Sequence, residues 1–382
     1  MRLIVLGAGL QGSACAFDLV QQPGVEHVTV LDTRFDRMGA FLKPLVGGKL
    51  DTLKLDVRDG DATRRALSGH DAVMCALPYY FNLPLAQAAL DAGVHFCDLG
   101  GNTEIVFQQR DLDRLATDRG VAIVPDCGLA PGMVNVLAAE GIRRLDRVES
   151  VKIYVGGLPQ RPEPPLHYQI VYSLEGVLDY YTTPSWVLRG GRPTRVDALS
   201  ELESVEFPAP VGVLEAFHTG GGISTLPWKY EGRVPTMEYK TLRYPGHATI
   251  MQAIRELGLL DLAPLKVRGK EIVPRDVFIS VVSPKLTKPD GRDLVAMRVE
   301  VTGETAGRPA RAAWQLLDYY DQVNGLSAME RTTGYSLAVT GIMLADGRIT
   351  ARGVQTPDEA VPFDEYVGEL ERRGVEIREV PQ

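Results

Sequence analysis

The chain has 382 residues, with 41 lysines and arginines against 49 aspartates and glutamates, so its formal charge is 41 − 49 = −8. This acidic balance argues against a nucleic-acid partner, because binding to phosphates needs a concentrated basic surface. No apolar run reaches the ~18 residues that span a bilayer, and the four cysteines form no C-x-x-C pair. The composition therefore predicts a soluble, cytoplasmic protein without a metal site, a membrane partner or a nucleic-acid partner.

The residue types are distributed unevenly along the chain. All four cysteines lie in the first 127 residues, whereas the three tryptophans lie between residues 128 and 325. The length allows two or three domains at roughly 100–200 residues each. We predict a first domain over 1–127, a second over 128–325 and a C-terminal segment over 326–382.

Short β-branched runs alternate with helical ones in the first domain. The predicted strands are Arg2–Leu6, His27–Leu31, Leu53–Leu55, Ala72–Ala76, His95–Asp98 and Ala122–Pro125. The predicted helices of this region are Gln11–Gln21, Asn82–Ala92 and Glu104–Arg119, and two more are expected in the tail, at Ser327–Ala345 and Phe363–Arg373. Six strands that alternate with helices predict an α/β fold, a doubly wound parallel sheet of the Rossmann type.

A glycine-rich turn follows the first predicted strand. Gly7, Gly9 and Gly12 have the G-x-G-x-x-G spacing, and Leu10 and Gln11 lie in the same turn. In such turns the glycines allow a tight bend, a close approach of a pyrophosphate to the backbone, and close packing of helix on strand. The strand and helix on either side favour a dinucleotide site over a turn that binds nothing.

The second predicted strand ends in an acid. A carboxylate at the position of Asp32 accepts hydrogen bonds from the adenine-ribose hydroxyls and repels a 2′-phosphate, which favours NAD over NADP. Thr33 and Arg34 follow directly and are also expected at the cofactor. Arg34 and Arg37 weaken the predicted preference for NAD over NADP, since an arginine beside this position can accommodate the extra phosphate.

Two further strand ends are expected to line the same crevice, because ligands bind outside the carboxyl ends of parallel strands. These residues are Asp56 and Val57 after the third strand, and Ala76, Leu77 and Pro78 after the fourth. Asp56 has an equally good alternative interpretation as the cap of a helix at Ala62–Leu67.

Several longer motifs extend over almost the whole chain. They include LGAGLQGS at the N-terminus, PDCGLAPGMVN at 125–135, YSLEGVLDYYTTPSWVLRGG at 172–191, LEAFHTGGGISTLP at 214–227, YKTLRYPGHATIM at 239–251 and ERTTGYSLA at 330–338. Together with the segment LPYYFNLPLAQAALDAGVHFCDLGG, these motifs resemble the saccharopine dehydrogenase-like oxidoreductases. Within that family the resemblance is greatest to the L-lysine 6-dehydrogenase branch.

The resemblance implies NAD-dependent oxidation of the ε-carbon of L-lysine to 2-aminoadipate 6-semialdehyde and ammonia, with cyclisation to a piperideine carboxylate. It also implies a Rossmann domain that is completed by returning C-terminal helices, and an inserted mixed α/β domain that holds the substrate and forms a homodimer or a higher homo-oligomer. One departure concerns the substrate. Saccharopine reductases tend to carry an aspartate where this chain has Ala130.

Candidate substrate residues lie in the second domain. Lysine carries one carboxylate where saccharopine carries three, and a guanidinium binds a carboxylate bidentately. Arg243 is the candidate for this contact, with an exposed, ion-paired arginine as the alternative. Glu175 could hold the cationic end of lysine, unless it is simply an exposed helix acid.

Oxidation of a C–N bond requires a neutral amine, so some group must take a proton. A suitable base is a histidine, or a lysine, aspartate or glutamate with a shifted pKa. His218 lies beside a glycine-rich loop, and Lys240 lies three residues before Arg243. We predict that His218 or Lys240 is the base and consider His247 less suitable, while each of these histidines could equally be structural.

The remaining candidates follow strands four to six. Tyr79 could stack near the nicotinamide or pack at an interface. Asp98 and Asp126 could orient an amine or cap the next helix. Cys127 is not expected to act as a nucleophile, because oxidation of an amine needs no thiol step.

Three other classes of protein compete with this prediction. A saccharopine dehydrogenase or a related imine-forming dehydrogenase would share the cofactor residues and differ in the substrate pocket. A sugar oxidoreductase normally has Glu-Lys-Pro after the fifth strand, where this chain reads CDLGGN. A non-catalytic NAD-binding regulator remains the third alternative.

Overall fold

The computed structural model describes residues 1–381, which form two α/β regions. The N-terminal elements are β1 (Arg2–Leu6), α1 (Leu10–Gln21), β2 (His27–Asp32), β3 (Leu50–Lys54), α2 (Gly60–Leu67), β4 (Ala72–Cys75), α3 (Asn82–Ala92), β5 (His95–Asp98), α4 (Thr103–Arg110), α5 (Asp113–Asp118) and β6 (Ala122–Val124). Short 3₁₀ turns occupy Lys43–Leu45 and Tyr79–Phe81.

The middle of the chain adds a second group of elements. These are α6 (Met133–Arg144), β7 (Arg147–Pro159), α7 (Leu174–Thr182), β8 (Ser185–Arg189), β9 (Arg192–Val196), β10 (Glu203–Phe207), β11 (Gly212–His218), α8 (Leu226–Lys229), β12 (Thr236–Arg243), α9 (His247–Glu256), β13 (Leu265–Val267), β14 (Lys270–Ile272), α10 (Pro274–Leu286), β15 (Asp293–Thr305) and β16 (Arg308–Tyr319). The tail contributes α11 (Ala328–Ala345), β17 (Gly353–Val354), α12 (Pro357–Ala360), α13 (Phe363–Arg372) and β18 (Arg378–Glu379).

The first sheet is parallel and doubly wound, which confirms the predicted fold class. Its strand order is β17-β6-β5-β4-β1-β2-β3, so the chain runs outward in both directions from β1. The sequence predicted six strands, and the structure adds β17 as a seventh at the edge beside β6. The carboxyl ends of β1 and β4 adjoin each other at the point where the strand order reverses, and ligands of such sheets bind in that crevice.

The predicted helix Glu104–Arg119 is two helices. At Asp111 and Leu112 the backbone N–H groups donate to the carbonyls three residues back, those of Gln108 and Gln109, rather than four back. The turn tightens there and α4 ends. The periodicity of apolar residues continues across this break, which is why the sequence predicted one helix.

The second sheet is mixed, and the order of its main path is β10-β11-β12-β7-β15-β16-β18. β12 runs parallel to β7 and antiparallel to β11, with His218 opposite Lys240 and Phe217 opposite Thr241. Successive side chains of a strand point to opposite faces of its sheet. Tyr239, Thr241 and Arg243 therefore share one face of β12, and Glu238 and Lys240 lie on the other.

Helix α11 returns from the second region to cover the first sheet. It begins with a capping box of Ser327 and Glu330, and it packs against α1 and against strands β4 and β5. A Cβ on Gly334 would lie 2.7 Å from Ala14 Cβ, and one on Gly341 would lie 2.4 Å from Met74 Sδ. The absence of side chains at these two positions brings α11 directly onto its neighbours.

The tail also contacts the second sheet, since β18 pairs with β16. No helix within residues 1–381 is both long and apolar enough to cross a membrane.

Candidate active site

The turn between β1 and α1 has the shape of a phosphate cradle. Gly7 has φ +104°, and a Cβ there would lie 2.9 Å from the carbonyl oxygen of Ala76. A Cβ on Gly12 would lie 1.9 Å from the carbonyl oxygen of Gly7, whereas Gly9 faces open space with nothing within 4 Å of a Cβ. The first and third glycines thus pack the turn, and the second leaves room for a ligand beside the N-terminus of α1.

Asp32 lies beside this cradle at the end of β2. Its Oδ2 accepts a hydrogen bond from the Ala8 N–H at 2.7 Å, and its Oδ1 accepts from the Thr33 hydroxyl and the Arg34 N–H, both at 3.2 Å. The carboxylate is only partly buried, so lone pairs remain for a ribose. The Arg34 side chain is exposed and lies 3.7 Å from Asp36.

Asp56 and Val57 follow β3 at the same edge of the sheet. Arg58 donates to both Asp56 oxygens, at 2.5 Å and 3.0 Å, and these hydrogen bonds lower the pKa of Asp56 to about 2. The interpretation of Asp56 as a helix cap is wrong, because Asp59 caps α2 by accepting from the Ala62 N–H.

A pocket lies where the cradle meets the second sheet, and its volume is about 280 Å³. The first region contributes Gln11, Leu77, Pro78, Tyr79, Leu99, Gly100, Gly101 and the loop from Gly128 to Pro131. The second region and the tail contribute Val155, Gly157, Tyr172, Ser173, Gly176, Tyr180, Thr219, Gly220, Gly222, Tyr239, Thr241, Arg243, Met329 and Thr333. The structure thus brings Gln11, Leu77, Pro78, Tyr79 and Arg243 together, whereas Ala76 and Leu10 lie beside the pocket without lining it. Leu10 is 48% exposed.

Arg243 is the only charged side chain among the lining residues, and it is 2% exposed. Its Nε donates to the Tyr181 hydroxyl at 3.1 Å, and its Nη1 donates to the Leu242 carbonyl at 2.8 Å. The guanidinium carbon lies 4.9 Å above the ring centre of Tyr168. Within residues 1–381 no carboxylate forms an ion pair with Arg243, and Nη2 has no hydrogen-bond acceptor. A buried guanidinium with a free N–H group could receive an anion.

A short chain of hydrogen bonds holds Arg243 in place. The Tyr181 hydroxyl, which accepts from Arg243, lies 2.9 Å from His247 Nε2, and His247 Nδ1 lies 2.9 Å from the Leu166 carbonyl. A carbonyl can only accept, so the network assigns the proton of the neutral imidazole to Nδ1. Burial lowers the pKa of His247 to about 3. His247 therefore stays neutral and positions Tyr181, and it is not placed to act as a base.

His218 and Lys240 lie on the opposite face of the second sheet from the pocket. His218 is fully buried, with Nε2 3.1 Å from Glu201 and Nδ1 3.1 Å from the Tyr239 carbonyl. Lys240 Nζ donates to the Glu201 carbonyl at 2.7 Å and lies 2.8 Å from Glu203. The prediction that one of them is the base needs correction, because β-strand alternation turns both side chains away from Arg243.

Glu201, His218 and Glu238 also form a compact group of metal-ligand type. Arg189 lies 2.7 Å from each of the two carboxylates, so both already form an ion pair with a guanidinium.

Glu175 lies in the first turn of α7, where its side chain is exposed, and it is not part of the pocket. Its neighbours Ser173 and Gly176 line the pocket, but Glu175 does not. Cys127 donates from Sγ to the Val124 carbonyl at 3.1 Å, and burial raises the pKa of its thiol well above the usual value. A thiol whose pKa is raised in this way is a poor nucleophile near neutral pH.

Asp98 and Asp126 are both buried, but their surroundings differ. Asp98 accepts from Gln109 and Gly100 at 2.7 Å and from Asn82 at 2.9 Å, so it is a structural acid that fixes the loop after β5. Neither carboxylate oxygen of Asp126 has a hydrogen-bond partner within the described chain. The cap interpretation is wrong for Asp126, because α6 begins at the N-cap Gly132 and Asp126 contributes nothing to it.

Sequence reasoning missed most of the hydroxyl groups of the pocket. Tyr172, Tyr180 and Tyr239 line it, and the Thr219 and Thr241 hydroxyls lie 2.7 Å apart. The alternation along β12 indicates two of them, since Tyr239 lies four residues and Thr241 two residues before Arg243 on the same face of the strand.

A glycine cradle, an acid at the end of β2 and an adjoining pocket define a nicotinamide-dinucleotide-dependent oxidoreductase of the Rossmann type. The family domain described as "Saccharopine dehydrogenase NADP binding domain" matches residues 3–124. The one described as "Saccharopine dehydrogenase C-terminal domain" matches residues 128–375. The chain therefore belongs to the saccharopine dehydrogenase family, whose members act on CH–NH type substrates.

Individual relatives are distant. A saccharopine dehydrogenase [NADP(+), L-glutamate-forming] of Pyricularia oryzae is 24% identical over 86% of this chain and 88% of its own length. The structure of the L-Glu-forming saccharopine dehydrogenase of Saccharomyces cerevisiae matches with a TM-score of 0.82 and 22% identity over 99% of both chains. The homospermidine synthase of Legionella pneumophila, solved with NAD, matches with a TM-score of 0.72 and 10% identity over 100% of this chain and 91% of its own. At these identities the structural matches establish the fold alone.

Proposed function

We propose that the protein is an NAD-dependent L-lysine 6-dehydrogenase, which oxidises the ε-carbon of L-lysine to 2-aminoadipate 6-semialdehyde and releases ammonia. The observation that carries this proposal is the single buried guanidinium of the pocket. Arg243 provides a receptor for one carboxylate, and no second cation lines the pocket. L-Lysine presents one carboxylate and saccharopine presents three, so the charge of the pocket matches the smaller substrate.

The polarity of the pocket suits an amino acid bound lengthwise. Arg243 and Thr241 enter the pocket from β12 of the second sheet, whereas Leu77 lies beside Gly7 of the glycine cradle. An α-carboxylate on Arg243 directs the aliphatic chain of lysine toward the cradle, with hydroxyl groups available to its α-ammonium. The ε-carbon then lies on the side of the pocket where the cofactor is expected.

The cofactor residues fit a nicotinamide dinucleotide. The open space at Gly9 accommodates a pyrophosphate, Asp32 is placed for a ribose, and Gln11 has a buried side-chain carbonyl without a partner inside residues 1–381. When bound, the dinucleotide supplies the two-electron oxidant that accepts a hydride. We propose NAD because the Asp32 carboxylate would repel a 2′-phosphate. The names of the matched family domain and of the Pyricularia relative specify NADP, so the preference for NAD over NADP needs a direct comparison of the two cofactors.

The net reaction balances with water as the third reactant. R–CH₂–NH₃⁺, NAD⁺ and H₂O give R–CHO, NADH, NH₄⁺ and H⁺. The amine must lose a proton so that its lone pair can form the C=N bond as the C–H bond breaks, and water then hydrolyses the imine. The aldehyde product carries its own α-amine, which closes the ring to a piperideine carboxylate.

A second candidate is oxidation of saccharopine itself. The matched relatives that carry this name in full are 21–24% identical to the chain. A neighbouring cleft of about 520 Å³ includes Arg161, Lys288 and Arg292, and it shares Tyr168 with the surroundings of Arg243. These cations could receive further carboxylates if the two clefts were joined.

The deciding experiment is formation of reduced nicotinamide by the purified protein. L-Lysine and L-saccharopine are each supplied with NAD⁺ and with NADP⁺, and ammonia and glutamate are quantified as products. We expect NADH and ammonia from lysine. Glutamate formed from saccharopine, with lysine inert, refutes the proposal in favour of the second candidate. If every amine is inert while NAD still binds in a calorimetric titration, the protein is a regulator instead.

A further inference from the structure

We propose that Asp126 is the proton acceptor for the substrate ammonium. This inference rests on the proposed oxidation of an amine, and it adds the group that makes the amine reactive. Asp126 lies directly after β6, at the carboxyl edge of the first sheet where the pocket opens.

The Asp126 carboxylate lies directly behind the wall of the pocket. A Cβ on Gly100 would lie 1.9 Å from Asp126 Oδ1, and Gly100 itself lines the pocket together with Gly101 and Gly128. Gly100, a residue without a side chain, thus lies between the acid and the ligand space. Any larger residue at Gly100 would occupy the position of the carboxylate, so the absence of a side chain there allows the close approach.

Asp126 lacks the partners that a buried structural acid normally has. It is 1% exposed, and both oxygens are unpartnered within the described part of the chain, whereas its neighbour Asp98 accepts from several donors. Its backbone also has φ +66°, in the left-handed region. A buried carboxylate without a partner is costly. The ammonium group of the substrate, or one water between them, is a donor of the kind that is missing.

No residue that lines the pocket is an acid, a histidine or a lysine. Three of the tyrosines of the pocket cannot replace these groups, because burial raises the pKa of Tyr172, Tyr180 and Tyr239. Burial raises the pKa of Asp126 to about 7 and that of Asp98 to about 6, so both acids beside the pocket change protonation near neutral pH. Asp98 already accepts hydrogen bonds from several donors, which leaves Asp126 as the acid that is free to accept a proton.

The charged and titratable groups around Asp126 come from several elements. After burial, the largest influence is the nearby Ser224 hydroxyl, which favours ionisation although its geometry does not make it a hydrogen-bond partner of Asp126. Asp98 and Asp358 oppose ionisation, Arg110 favours it, and Cys127 and Tyr180 are neutral neighbours. Burial outweighs all of these influences. A substrate cation adds a further positive charge, so substrate binding favours the ionised, proton-accepting form of Asp126.

The proton step balances simply. R–CH₂–NH₃⁺ gives one N–H proton to the Asp126 carboxylate, which leaves R–CH₂–NH₂ and a neutral carboxylic acid. The nitrogen lone pair that is freed forms the C=N bond as the C–H bond breaks with its electron pair. The proton then passes from Asp126 to solvent before the next turnover.

The test compares pH profiles of kcat/KM for Asp126→Asn and the unmodified protein. In the unmodified protein kcat/KM rises with pH through about 7 and then levels off, because the base accepts the proton from a substrate that is still an ammonium. In the variant, only substrate that has lost its proton in solution reacts, so kcat/KM keeps rising toward the amine pKa of about 10.4. At neutral pH we expect a loss on the order of 10²–10⁴-fold, with the Kd for the dinucleotide changed less than about twofold.

A second readout does not depend on turnover. Infrared titration of the unmodified protein should show a buried carboxyl group with a midpoint near 7 that is missing in Asp126→Asn. Asp318→Asn is the matched control, because Asp318 is also buried and its pKa is also raised, to about 6. Unlike Asp126, Asp318 has a partner, since it accepts a hydrogen bond from Arg331. We expect this control to keep the unmodified pH profile.

Two results overturn the inference. One is a variant profile that levels off at the same pH as the unmodified protein. The other is an unchanged carboxyl titration in Asp126→Asn. If the unmodified protein oxidises no amine, the infrared result still measures the ionisation of Asp126 and the failure belongs to the proposed function. The pH profiles are recorded with whichever amine the unmodified protein oxidises.

Discussion

Replacement of Arg243 by methionine tests the feature that defines the substrate. Methionine keeps an unbranched side chain of similar length and removes the charge. Loss of one partner from a buried, hydrogen-bonded charge pair costs about 2–5 kcal/mol, and each 1.4 kcal/mol is tenfold in an equilibrium constant. The Arg243 guanidinium is 2% exposed and forms no ion pair with a carboxylate within residues 1–381. Solvent screening therefore reduces the expected cost of about 2–5 kcal/mol only a little. We expect Arg243→Met to lower kcat/KM for L-lysine roughly 10²–10³-fold, mainly through KM.

The assay pairs this variant with a substrate that lacks the carboxylate, pentane-1,5-diamine. The unmodified protein should prefer lysine over the diamine by a similar factor of roughly 10²–10³, and Arg243→Met should remove that preference. Arg243→Lys is the matched control. It keeps the charge without the bidentate fork, and it should retain part of the preference.

Stability supplies an independent check on Arg243. Removal of a buried cation without an anionic partner should leave Tm unchanged or raise it, even though the hydrogen bond to Tyr181 is lost. Equal losses of kcat/KM for lysine and diamine, together with a lower Tm, would mean that Arg243 supports the fold and does not bind a carboxylate. That result would refute the assignment of the substrate.

Four further outcomes are expected. The pKa of Asp126 is about 7 in the folded protein against 3.8 in the unfolded chain, so ionisation of this group destabilises the fold as pH rises from 4 toward 7. Asp126→Asn should therefore raise Tm relative to the unmodified protein at pH 8 but not at pH 4. The gain in the free energy of unfolding at pH 8 should be at most about 4 kcal/mol. Asp32→Ala should weaken NADH binding in fluorescence titrations more than NADPH binding, and an unchanged ratio would remove Asp32 from the ribose. Tyr181→Phe should raise KM for lysine only a few-fold with kcat retained, because it loosens Arg243 without removing it; a loss as large as that of Arg243→Met would assign Tyr181 a direct contact. His218→Gln should lower Tm, because it perturbs the contact with Glu201, while kcat and KM change less than about twofold. A large loss of kcat would instead indicate that His218 acts in the active site.

The cofactor half of the protein could be predicted from sequence because its signals are local. The glycine spacing from Gly7 to Gly12 and the acid at Asp32 lie within a single βαβ unit, so strand, turn and helix signals reinforce one another. The added strand β17 is only two residues long and is separated from β6 by more than two hundred residues. A pairing of this kind has no signature in local periodicity.

The substrate half was predicted less well because its chemistry depends on strand faces and register. Lys240 lies three residues before Arg243, and His218 lies opposite Lys240 on β11, but alternation along the two strands turns both side chains to the other face of the sheet. Arg243 was predicted because a guanidinium is chemically distinctive, and the structure places it in the lining of the pocket. The sequence could not predict that both carboxylate oxygens of Asp126 lack hydrogen-bond partners, because this depends on which donor groups the fold places within hydrogen-bond distance.

The path of helix α11 affects how the protein is made. The cofactor sheet relies for part of its apolar cover on a helix that is translated roughly 200 residues after β6, about 10–40 s later at ordinary elongation rates. Throughout that interval the nascent sheet exposes the surface that later receives Gly334 and Gly341. A fragment that ends near residue 127 should therefore aggregate, and a separately supplied peptide of α11 should increase its solubility.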